Sequence, residues 1–134
     1  MAFYQSTLSI ILLGIAQGSI LATSLNNLHY GDIETKHLVS PYQTEDSFFL
    51  RWVDDYLFVT TSQQLATHFL QVMQYNMPRY GCHLNLSKTL VNFKVSSHDQ
   101  KFEQITGNWF PWCGYLFNIL TMECCHNYVQ YIGT

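Results

Sequence analysis

Two apolar arms, Phe48-Phe49-Leu50-Arg51-Trp52-Val53 and Tyr56-Leu57-Phe58-Val59-Thr60-Thr61, stand nearly symmetrically about the charged pair Asp54-Asp55. Each arm is rich in aromatic and β-branched residues, and a two-residue centre suits a hairpin turn. The pattern therefore predicts paired strands with both aspartates at the tip. Beyond them Leu65, Phe69, Val72, Met73 and Met77 form an apolar stripe at helical spacing, with Thr61 and Gln64 at capping-box distance and Pro78 as the stop. Upstream, residues 8–13 read as a short strand or buried segment and 14–19 as a break. Residues 20–30 read as a helix with Leu21, Leu25 and Leu28 on one face, punctuated by Gly31-Asp32. Residues 34–46, with Pro41, read as a polar connector. Downstream, 82–86 alternate as a strand, 89–95 offer another, and 94–108 read as a polar loop. The aromatic run 109–118 makes a hairpin with 120–123, and Tyr128 and Tyr131 close the chain without structural instruction. This order predicts an α+β layer, a sheet with helices packed on one face.

Composition narrows what such a layer does. The 134 residues are one domain's worth of chain, enough to bury a core. Apolar residues make up 48% and charged residues only 11%, against a usual level of roughly 25%. That excludes disorder and points to a surface that expects covering, by more chain or by a partner. The formal charge is −3 and the six Lys and Arg form no cluster, so a self-sufficient nucleic-acid footprint is absent. If the chain handles nucleic acid, most phosphate contacts come from residues outside it. Cys82, Cys113, Cys124 and Cys125 form no C-x-x-C pair, which suits a reducing compartment, and Cys124-Cys125-His126 fits no zinc spacing. The apolar run 8–16 imitates the core of a secretory signal, yet residues 1–7 lack the positive charge a signal needs. The run is also far short of the ~18 apolar residues of a membrane span, so no membrane partner is expected.

The chemistry centres on Asp54 and Asp55. Adjacent like charges repel, and apolar flanks that hold water away sharpen the repulsion, whereas a divalent cation with a preference for oxygen donors relieves it. The plainer reading is that Asp-Asp is simply good turn chemistry. Three further segments weigh against the plainer reading. Gly14-Ile15-Ala16-Gln17-Gly18-Ser19-Ile20-Leu21 resembles the Gly-x-Pro-Gln-Gly motif of reverse transcriptases, and Val53-Asp54-Asp55 resembles their metal-binding aspartate turn. Gly81-Cys82-His83-Leu84-Asn85-Leu86-Ser87-Lys88-Thr89-Leu90-Val91-Asn92-Phe93 resembles the lysine motif that follows it, and Trp109-Phe110-Pro111-Trp112-Cys113-Gly114 the primer grip. The particular forms Gln-Gly-Ser-Ile-Leu, Tyr-Gly-Asp from Tyr30, Lys-Thr-Leu-Val-Asn-Phe and Phe-Pro-Trp-Cys-Gly are similar to telomerase reverse transcriptase. Each piece alone is common; all of them in this order, from residue 14 to the C-terminus, are specific.

The resemblance implies an incomplete palm-type sheet over residues 14–134, preceded by an atypical segment 1–13. It implies an RNA-directed DNA polymerase of the nucleus that extends telomeric DNA primers with deoxynucleoside triphosphates on the telomerase RNA template. Asp54 and Asp55 would be the catalytic carboxylates and the ligands of a two-metal Mg²⁺ site. Gln17, Gly18, Ser19 and Lys88 would meet nucleotide or template, with Gly18 allowing close backbone approach and Lys88 serving the triphosphate. Trp112, Cys113 and Gly114 would hold the primer end. Ser19 as a helix cap, Lys88 as a solvated residue and Trp112 as core are the structural alternatives. Arg51 and Trp52, on opposite faces of their strand, carry a weaker hint that Arg51 reaches a phosphate or carboxylate.

Two departures qualify the pattern. Ala16 replaces the motif's Pro, which would have fixed the backbone before Gln17. The family's further aspartate, on a strand preceding the Gln-Gly-Ser segment, has no counterpart, because none of Asp32, Glu34, Glu45, Asp46, Asp99, Glu103 and Glu123 has the right context. The missing carboxylate and the remainder of the polymerase are thus expected from outside this chain. The chain is expected to be a fragment or a truncated isoform, inactive alone. A retroelement-type reverse transcriptase, a non-catalytic interaction module built from part of a palm, and a secreted binding domain stand as alternatives.

Overall fold

The computed structural model describes residues 18–95 and 102–128. The expected segment at 8–13, Gln17 with the residues leading into it, and Tyr131 lie outside the described residues. The chain divides after Pro41 into two units.

In the first unit Gly18 takes a left-handed backbone (φ +83°), and Ser19 anchors the turn that follows. Its hydroxyl accepts from the Leu21 N–H at 3.3 Å and its carbonyl from the Ala22 N–H at 3.0 Å. Helix α1 (Ala22–His37) then runs straight through Gly31-Asp32, where the sequence predicts its end. One glycine costs a helix only about 1 kcal/mol, and two local bonds span the site. The Thr35 hydroxyl donates to the Gly31 carbonyl at 2.7 Å, and Lys36 pairs with Asp32 at 2.6 Å, one turn away. Lys36 and His37 in the last turn also suit the negative end of the helix dipole. The predicted apolar face is not the buried one: Leu21, Leu25 and Leu28 are 63%, 45% and 72% exposed, while Ile33 and Leu38 are buried. The expected connector at 34–46 is likewise corrected, since it holds the end of α1 and a short helix, α2 (Val39–Tyr42).

The second unit is built on an aromatic floor. Strands β1 (Ser47–Trp52) and β2 (Asp55–Thr60) form the predicted antiparallel hairpin, with Phe49 opposite Phe58 and Leu50 opposite Leu57. Thr44 and Ser47 close the entry loop, the Ser47 hydroxyl donating to the Tyr42 carbonyl at 3.0 Å. Helix α3 (Gln63–Gln71) lays Phe69 on the face that carries Phe49 and Phe58. Phe69 stacks on Phe58 at 4.3 Å and meets Tyr42 edge-on at 5.0 Å. Buried Tyr42 hydrogen-bonds His68 Nδ1 at 2.9 Å, and burial raises its phenol above the ordinary pKa.

The cap of α3 falls one residue after the expected Thr61. Ser62 has extended backbone, and its hydroxyl accepts from the Leu65 N–H at 3.3 Å. Ser62→Ala is expected to lower the stability of the full chain by about 1 kcal/mol in urea denaturation, the usual worth of a serine cap. A loss within about 0.2 kcal/mol would mean that this bond contributes nothing net. Of the predicted stripe, Phe69, Met73 and Met77 are buried, while Leu65 and Val72 are half-buried. Pro78 does not simply stop the helix: α3 widens into a π turn (Val72–Asn76) and then tightens into a 3-10 turn (Met77–Tyr80) around the proline, which has no N–H to donate. Gly81 caps that turn at φ +77°, its N–H shared between the Met77 and Pro78 carbonyls.

Residues 82–86 are not a strand. Asn85 bends them: its side-chain oxygen accepts from the Ser87 N–H and hydroxyl, and its carbonyl from the Lys88 N–H and the Thr89 hydroxyl. The strand predicted over 89–95 shrinks to β3 (Leu90–Val91), which pairs in parallel with β4 (Glu103–Gln104) inside the expected loop. The predicted aromatic hairpin closes on itself, β5 (Trp109–Trp112) pairing β6 (Tyr115–Asn118). Residues 120–123 turn instead of pairing, because the Asn118 side chain accepts from the N–H groups of Leu120 and Thr121. The third strand is β7 (Cys124–His126). Helices and strands are therefore mixed as the α+β reading requires, but the described strands make three small sheets and not one. No helix among the described residues is long and apolar enough to cross a membrane.

Candidate active site

The β1–β2 turn is one residue out of step with the sequence prediction. Trp52 pairs with Asp55, which leaves Val53 and Asp54 as the two turn residues. Asp54 alone occupies the tip, and Asp55 is the first residue of β2. Val53 holds φ +58°. Two-residue hairpins need such left-handed backbone to match strand twist, and they normally take it from glycine, asparagine or aspartate. In a β-branched residue it costs about 1–3 kcal/mol and persists only when its surroundings hold it. Part of that support is Arg51, whose guanidinium donates to the Val53 carbonyl at 2.8 Å. Both carboxylates stay exposed. Asp55 shares its strand face with Leu57, opposite the face that packs on α3.

A second strained turn meets the first. Between β5 and β6 the chain reverses over Cys113 and Gly114, at φ +48° and +80°. Both turn residues are left-handed, the type I′ condition, which Gly114 meets without steric cost. The turn carries the Cys113 thiol to Asp55, where Sγ donates to Oδ2 at 3.7 Å across 58 residues of sequence. Burial, then the negative charge of Asp55, then this hydrogen bond push the thiol above its ordinary pKa. Trp112, beside it, packs against Phe117 at 6.1 Å. Its buried indole N–H finds no hydrogen-bond partner among the described residues.

Asp54, Asp55, Trp112, Cys113 and Gly114 thus converge on two neighbouring turns. Lys88 does not join them among the described residues. Lys88 lies exposed in the Asn85 turn and makes no ion pair with either aspartate. Gly18 and Ser19 belong to the first unit. Arg51 reaches the Val53 carbonyl in the first turn. The bond from Cys113 to Asp55 is not among the sequence expectations. Its signal was available as Cys-Gly between two aromatic arms, the pattern of a two-residue hairpin.

The donor set at the first turn fits Mg²⁺. Two exposed carboxylates are hard oxygen donors, and one or two carboxylates are what this ion takes when waters and substrate phosphates complete its shell. The thiol alongside is a soft group and no competitor for such a hard cation. Among the described residues no three His, Cys, Asp or Glu side chains group to hold a metal by themselves. Cys124, Cys125 and His126 lie exposed along β7, where neighbours point to opposite faces.

No protein-family model matches the chain. Individual relatives do. The telomerase reverse transcriptase of Mus musculus is 40% identical over 125 residues, covering 90% of this chain and 11% of its own length. That of Canis lupus familiaris is 39% identical over the same shares, and that of Rattus norvegicus 40% identical over 88% of this chain and 11% of its own. The chain is a homologue of the telomerase reverse transcriptases, related to them over about 90% of its own length and spanning about 11% of theirs.

Proposed function

We propose that this chain supplies part of the catalytic centre of telomerase, an RNA-directed DNA polymerase that adds telomeric repeats to chromosome 3′ ends in the nucleus. The observation that carries the proposal is the meeting of the Asp54-Asp55 hairpin with the Trp112-Cys113-Gly114 turn, through the thiol–carboxylate bond at 3.7 Å. Homology alone places two motifs in one sequence; this contact brings them to one place. The hairpin and the turn would then be pieces of a palm-type sheet completed by the remainder of the polymerase.

Asp54 and Asp55 would hold two Mg²⁺ ions together with an aspartate from outside this chain. When bound, such a pair stabilises the attacking and leaving oxygens of an in-line nucleotidyl transfer. The protein's part is positional. A hairpin braced on α3 fixes both carboxylates more closely than a free loop would. The aromatic face of Trp112 and the bare backbone of Gly114 suit the 3′ end of a telomeric DNA primer. Lys88 carries charge suited to the triphosphate of an incoming nucleotide. Gln17, Gly18 and Ser19 would serve the nucleotide or the telomerase RNA template, with Gly18 admitting close approach.

Primer extension on an RNA template tests the proposal. Residues 1–134 alone are expected to give no product, because two carboxylates leave most of an octahedral Mg²⁺ shell to water and six basic residues hold a duplex poorly against salt. Adding the remainder of the polymerase, with its aspartate strand and template-binding surface, is expected to restore synthesis. Robust synthesis by the chain alone would show that the metal site is misassigned, and failure of every such combination would count against a polymerase role.

A further inference from the structure

We infer that Cys113 is a positioning residue for the metal-holding carboxylate of Asp55, so that the second turn sets the metal site as well as facing the primer. The inference rests on the reading of Asp55 as a metal ligand. It starts from the separation of the two hairpins: β1–β2 and β5–β6–β7 are different sheets, so among the described residues no ladder of backbone bonds fixes Asp55 relative to the second turn. The Cys113 thiol provides a side-chain link across that gap.

The direction of the link matters. Asp55 Oδ2 accepts from Sγ at 3.7 Å, which occupies one carboxylate oxygen and leaves the other for a cation. Carboxylates that bind metals are themselves held by hydrogen bonds, and loss of such a partner typically costs 10–100-fold in metal affinity or activity. A thiol is a weak donor, so the lower end of that range applies. It is also a soft group that does not compete for Mg²⁺. The backbone places it: Cys113 and Gly114 are both left-handed, and the turn they make has two central residues only. A residue that only gripped primer would have no need of a donor turned to the neighbouring carboxylate.

The test uses the intact polymerase carrying Cys113→Ala or Cys113→Gly. Alanine bears the same left-handed backbone cost as cysteine, so its effect reads the loss of the donor. Glycine is unstrained at φ +48° and retains the turn while lacking any donor. Three quantities are read: Mn²⁺ affinity by electron paramagnetic resonance without nucleotide, the Mg²⁺ concentration for half-maximal extension, and primer KM. Both variants are expected to weaken Mn²⁺ binding and raise the Mg²⁺ requirement about tenfold, by more than any rise in primer KM. Unchanged metal affinity in either variant, or a rise in primer KM alone, would overturn the inference. Asp55→Asn separates the two levels. If that variant keeps its activity and Mn²⁺ affinity, the metal-site reading itself falls, whatever the Cys113 variants do.

Discussion

Asp54→Ala is expected to reduce primer extension by the intact polymerase roughly a thousandfold or more, the scale on which removing preorganised charge stabilisation acts, while the melting temperature stays within a few degrees. The two halves of this expectation have one cause. Asp54 sits exposed at the tip of a two-residue turn, so it supports no packing, and substitutions at such sites usually change stability by less than about 0.5 kcal/mol. As a metal ligand it would act through a bound cation and not through packing. Asp54→Asn sharpens the test, because asparagine is as good a turn residue as aspartate. If the aspartate were there only to make the turn, the asparagine variant would keep full activity; as a metal ligand it loses a charge and falls with alanine. Extension within a few-fold of the parent for either variant would be incompatible with Asp54 as a ligand.

How much of this was legible follows from which forces are local. The hairpin was legible because two arms of aromatic and β-branched residues can bury a face only by pairing. Its register was not, since Val53 in a left-handed turn runs against propensity and is held by the Arg51 guanidinium. The stripe of α3 was legible in its 3.6-residue period, and Phe69, Met73 and Met77 are indeed buried. The same period misled at Leu21, Leu25 and Leu28, an apolar face left exposed while Ile33 is covered. Glycine punctuation misleads at Gly31, because one glycine costs a helix only about 1 kcal/mol and the Lys36–Asp32 pair spans the position. Asn85 overrode an alternating pattern in the opposite sense, because its side chain offers the backbone a turn that a lone strand cannot outbid. At the site, the residues of each turn were legible from resemblance. The bond that joins the turns, spanning 58 residues, leaves no periodic trace.

Phe69→Ala should lower the stability of the second unit by about 3–5 kcal/mol. Phe69 is 6% exposed, stacks on Phe58 with planes 10° apart, meets Tyr42 edge-on at 88°, and lies 6.3 Å from Phe49. Its removal therefore takes away buried area and three ring contacts together, each such contact being worth roughly 0.5–1.5 kcal/mol beyond area. Against a total stability on the order of 5–15 kcal/mol, that loss puts much of the population at risk of unfolding near body temperature. Phe69→Leu, which keeps most of the volume, should cost far less. Urea denaturation of the full chain gives the measurement, and a loss below about 1 kcal/mol for alanine would mean that the hairpin is held from somewhere other than α3. The comparison with Asp54 separates scaffold from chemistry. The two residues serve the same turn, one from beneath and one at its tip, so Phe69→Ala must lower activity and stability together, whereas Asp54→Ala lowers activity alone.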